Sequence, residues 1–121
     1  MSKNKKQIFI RGDLNSLDGG IIPLRNQVWI EILKREYGLI NDKMRIWLYE
    51  KTQKNGSDDP TIFPGIIKDL GKDDEYEILV NEKEMKYLSE SKEFNNYSID
   101  DVINNDYFKK VTKELGLDSK S

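Results

Sequence analysis

The chain has 121 residues, with 20 Lys+Arg against 22 Asp+Glu and a net charge of -2, a length that suits one hydrophobic core and not two. Its hydrophobic share of 36% is low and its charged share of 35% is high, but 10% aromatic residues and clustered Ile, Leu and Trp oppose a disordered chain. Cys and His are both absent, which excludes disulfides and thiolate nucleophiles and removes the side chain that most often transfers protons or binds metals near neutral pH.

One domain over residues 1–121 is expected, with tails at 1–5 and 117–121. The basic start lacks a following apolar core of a signal peptide, and no run approaches the ~18 apolar residues of a membrane span. The expectation is therefore a cytoplasmic protein with no membrane partner. Ala is missing while Lys, Asn and Ile abound, the bias of AT-rich codons and of a bacterial or mobile-element source.

Charge is unevenly spread along the chain. Residues 1–54 carry net +5, residues 55–106 net -9 and residues 107–121 net +2. The middle segment holds the acidity.

In chain order, residues 7–11 form an apolar run stopped by Gly12-Asp13 and are expected to be a strand, with turn chemistry following from Asn15 to Gly20. From residue 24 to 37, Leu24, Val28 and Ile32 share one i+4 line and Trp29, Leu33 and Tyr37 the next, which predicts a helix. Pro23 suits its first position and Gly38 its left-handed end, with Leu39 as the hydrophobic contact. Residues 44–51 alternate as a strand, Met44, Ile46 and Leu48 on one face and Arg45, Trp47, Tyr49 and Lys51 on the other.

Residues 52–60 are polar and predict a surface connection. Pro60 and Pro64 argue against regular structure through Gly65, with one helical turn at residues 66–70. A third strand is expected over residues 74–81, where Tyr76, Ile78 and Val80 alternate with Glu75 and Glu77. Residues 82–89 predict a short helix. Ser98 with Asp101 resembles a capping box, Asn104 to Asp106 offer a break and a new cap, and Phe108, Val111 and Leu115 form a stripe ending at Gly116.

These elements predict an α+β fold: a small, mainly antiparallel three- or four-stranded sheet with helices packed on one face.

Known motifs fail on spacing. Arg11-Gly12-Asp13 is a strand end and turn. A calcium loop from Asp13 would need Gly where Asp18 stands and Glu where Leu24 stands. Gly65 to Lys72 has one residue too many for a phosphate-binding loop, and Asp73 replaces its Ser or Thr. Glu84-Met85-Lys86 resembles a magnesium nuclease element, but follows the strand and is better explained as a solvated face.

Two features remain. Trp47 and Tyr49 are either covered by helices or exposed as anchors of an interface. The carboxylates Asp58, Asp59, Asp73, Asp74, Glu75, Glu77, Glu82, Glu84, Asp100 and Asp101 could converge into one negative surface that steers a basic partner. The leading expectation is thus a small acidic protein inhibitor of the immunity or anti-defence type, without catalytic residues, cofactor or metal, that occludes a basic partner such as a nuclease toxin. The alternative is a nucleic-acid-associated regulator using Lys3, Lys5, Lys6, Arg11, Arg25, Lys34, Arg35 and Arg45. Nucleic acid is the less favoured partner because the overall charge is negative.

Overall fold

The computed structural model describes residues 7–117; the expected tail at 1–5, the basic arm Lys3, Lys5 and Lys6, and residues 118–121 lie outside the described residues. The main sheet has six strands in the order β1 (Phe9–Arg11), β3 (Arg45–Glu50), β6 (Thr61–Asp69), β7 (Tyr76–Val80) and β2 (Ile21–Leu24), with β8 (Lys86–Tyr87) paired to β6. It is curled and mixed: β1 runs parallel to β3, and the other pairings are antiparallel. A hairpin of β4 (Gln53–Lys54) and β5 (Ser57–Asp58) forms a second sheet. The expected three- or four-stranded sheet is thereby corrected, because three segments without a strand signal of their own pair with those that have one.

The largest correction is β6. Pro60, Pro64 and the helical turn expected at residues 66–70 argue against a strand, yet residues 61–69 form the longest one and pair with β3, β7 and β8. Pro64 is tolerated because β8 pairs only with Thr61 and Ile62, and β7 only from Gly65 onward. The Pro64 carbonyl accepts from Asn81 N on that side at 3.1 Å. Nitrogen and carbonyl of one extended residue face the same way, so the missing N–H falls in the gap between two partners, where no ladder bond is lost.

The second correction is β2. Sequence periodicity puts Leu24 inside the first helix and Pro23 at its start. Instead Pro23 lies opposite Glu77 and Leu24 opposite Tyr76, and α1 (Gln27–Tyr37) begins after Asn26, whose side chain accepts from Val28 N and Trp29 N at 2.9 and 3.1 Å. Leu24 satisfies the helical period and also the period of two with Ile22, and pairing decides between them. Pro suits an edge strand, since its outward side needs no donor. Gly38 does end α1 at φ +86°, but Leu39 is 69% exposed and makes no capping contact; Ile40 turns inward.

The helix expected at residues 82–89 is replaced by two 3-10 turns, Glu82–Glu84 and Leu88–Glu90, on either side of β8. The capping box does form: Ser98 and Asp101 exchange both bonds and open the one-turn helix α2 (Ile99–Val102). Asn104 caps α3 (Asn105–Glu114). Leu117 N bonds Thr112 O and Gly116 N bonds Lys113 O, the paired bonds of a Schellman ending.

One core cluster unites sheet and helices. Its inner face carries Ile10, Leu48, Phe63, Ile67 and Ile78, and α1 adds Val28, Ile32 and Leu33. At one end the outer face is also buried, because Phe94 packs edge-on against Phe9 at 5.0 Å and Trp47 at 4.9 Å. At the other end that face is bare: Ile66 is 36% and Leu79 41% exposed.

Candidate functional site

Asn55 and Gly56 adopt φ of +54° and +81°, the two left-handed residues of a tight hairpin turn. That turn projects β4 and β5 from the sheet. The chain then bends through Asp59, which is 9% exposed and receives Ser89 N at 3.1 Å and the Ser89 hydroxyl at 2.5 Å. Asp59 N donates to Thr52 O, and the Thr52 hydroxyl donates to Asp59 O. These bonds hold the hairpin beside the segment that follows Leu88.

That segment is fixed in turn. Phe94 N donates to the Ser91 hydroxyl at 3.2 Å, Tyr97 N donates to Phe94 O, and the Tyr97 hydroxyl accepts from Gln7 N at 2.6 Å. Between hairpin and segment lies a groove of about 630 Å³ whose walls include Lys54, Asp58, Ser89, Asn95, Tyr97 and Ile99. Ile99 is 38% exposed, and Asp100 follows it on the surface.

Electrostatically the groove is negative. Asp58 and Asp59 line it with the ammonium of Lys54, against which Glu90 lies, and the exposed Asp100 follows the lining residue Ile99 in the chain. Lys54 bonds Glu90, and that hydrogen bond raises its pKa, with Asp59 adding a smaller effect. Lys54 therefore stays protonated. Ser89 has Asp59 as its partner, and the chain contains no His to take its proton. The arrangement can bind cationic and apolar groups together.

The ten carboxylates singled out in the sequence occupy several places. Asp58 and Asp59 line the groove, while Asp100 and Asp101 are in the first turn of α2, directly after the lining residues Ser98 and Ile99, with Asp101 engaged in the capping box. Asp73 and Asp74 lie in the β6–β7 turn, where Asp74 holds Lys34 at 2.8 Å. Glu75 precedes β7 and lies with Asp73 and Asp74 beside Gln27, Glu31 and Lys34 of α1, whereas Glu77 is on the bare side of the sheet opposite Lys68. Glu82 and Glu84 occupy the 3-10 turn after β7, with Glu84 on Arg45 at 3.6 Å and Asn81 at 2.7 Å. They do not form one wall.

Tyr49 is 2% exposed and belongs to the core, while Trp47 is half-buried between Phe94 and the Arg45 guanidinium, which lies 5.3 Å from its ring. Of the basic residues, Arg11 pairs with Glu50, Lys34 with Asp74, Arg35 with Glu31 and Glu114, and Arg45 with Glu84. Among the described residues no cluster of three or more His, Cys, Asp or Glu is placed to hold a metal ion, and no helix is long and apolar enough to cross a membrane.

Lys54, Asn95, Tyr97 and Ile99 carry no signal in the sequence that singles them out. Asn55-Gly56, a strong hairpin signal, could have shown that the polar stretch is structured. Nothing in the sequence places that hairpin beside Tyr97. Comparison with known protein families, curated proteins and solved structures gives no match.

Proposed function

We propose that this chain is a non-catalytic binding protein that occludes a basic protein partner, such as a nuclease toxin, by receiving cationic side chains in the groove beside the β4–β5 hairpin. The observation that carries this reading is a groove lined by Asp58 of the hairpin together with Tyr97 and Ile99, with the exposed Asp100 next in the chain after Ile99. Aromatic and apolar walls supply contact area, and carboxylates steer association and select against acidic partners. Asp74, Glu77 and Glu84 contribute little to such steering, because Lys34, Lys68 and Arg45 stand beside them.

The test is inhibition of cationic nucleases encoded beside the gene, titrated with the purified chain at low and moderate salt. The variant Asp58→Asn/Asp100→Asn should associate about tenfold more slowly and lose most of the salt dependence. Equal inhibition and equal salt dependence for that variant and the parent would remove the groove from the account.

A further inference from the structure

The bare end of the sheet is a second surface, separate from the groove, and its strand register is informative. Arg45, Ile66, Leu79 and Ile21 stand side by side across β3, β6, β7 and β2. The next row on the same face is Lys68, Glu77 and Pro23. Ile66 and Leu79 are among the most exposed large apolar side chains of the described residues, at 36% and 41%. The first row is thus an apolar strip with a cation at one end, and the second sets a cation directly beside an anion.

We infer that this face pairs with the same face of a second copy of the chain, about a two-fold axis parallel to the strands and midway between β6 and β7. Such an axis exchanges the two strands. Ile66 then meets Leu79 of the second copy, Lys68 meets Glu77 of the second copy, and both contacts occur twice. The aliphatic stem of Arg45 lies over Ile21 of the second copy. Each row carries its own complement, so the occupant that fits is a copy of the same surface. A uniformly basic or acidic partner would set like charge against Lys68 or Glu77.

The two sheets stack face to face with nearly aligned strands. At about 4.8 Å between strands and about 6.8 Å between rows on one face, the four strands and two rows make a patch of roughly 20 by 14 Å. That is below the size of a standard specific interface, so the dimer is weak and transient, with a dissociation constant between roughly 10 µM and 1 mM.

Sedimentation velocity from about 10 µM to about 1 mM tests the pairing. The parent chain should move from monomer toward dimer with concentration, and Leu79→Asp should remain monomeric. Lys68→Glu and Glu77→Lys should each weaken self-association about tenfold, because each sets like charges in both copies of the contact. Mixed together they should recover the parent's association, since the mixed pair has opposite charges at both contacts. Far-UV circular dichroism checks folding, and Ile66→Asp replaces Leu79→Asp if that variant is unfolded. A monomer at every concentration, a dimer that survives both apolar replacements, or a mixture no better than its parts would overturn the assignment. None of these outcomes bears on inhibition through the groove.

Discussion

A Cβ at Gly65 would lie 2.4 Å from Ile78 Cγ2 and 3.1 Å from Leu48 Cδ1, so the close approach of β3, β6 and β7 depends on the absent side chain. Gly65→Ala should lower stability by about 2–3 kcal/mol through overpacking. Adding Ile78→Ala removes the clashing methyl, so the double variant should be less destabilised than the sum of the single ones in urea unfolding. Tyr49 gives a pH prediction. Burial raises its pKa above the usual value, with Arg11 opposing and Glu50 reinforcing the shift. The folded state therefore keeps the phenol proton that the unfolded chain loses near pH ~10. This contribution is fully present below that value and is lost as pH rises through the folded pKa. Tyr49→Phe should flatten the fall in stability measured between about pH 8 and 11. Sequence shows Tyr49 on the Trp47 side of a strand, but cannot show that Phe9 and Phe94 cover that side.

Among the elements, the β4–β5 hairpin is the one on which the groove depends. Gly56 has φ +81°, and a Cβ added there would meet nothing within 4 Å, so Gly56→Ala adds backbone strain without a clash. The expected cost is about 1–2 kcal/mol, read as faster amide exchange at residues 53–58 with little change in β3 or β7. Uniform loss of protection would mean that the turn supports the whole sheet. Helix α1, strands β3 and β7 and the cap of α2 are legible in the sequence because period, cap and partner agree within a short window. β2 and β6 are not, because Pro23 and Pro64 read locally as breakers; an open edge and a gap between partners make them harmless.

At the scale of the molecule, the basic first part and the acidic middle of the chain interleave: β3 lies between β1 and β6, and Lys34 and Arg45 reach Asp74 and Glu84. Trp29 of α1 stacks near Phe108 of α3 at 4.7 Å, while Trp47 lies on the other side of the sheet among Phe9 and Phe94. Unfolding should therefore be one transition. Fluorescence of the single-tryptophan variants Trp29→Phe and Trp47→Phe should each coincide with circular dichroism in the same variant. A fluorescence midpoint displaced from dichroism in either would show that helix layer and sheet melt separately. Residue types and local periods were enough to determine from sequence the lack of His and Cys chemistry, the first helix, two of the central strands and the caps near the C-terminus. Tertiary structure alone decided which carboxylates face a groove, which face a cation, and which apolar residues stay bare, because strand pairing joins residues such as Ile21 and Leu79 that no local window relates.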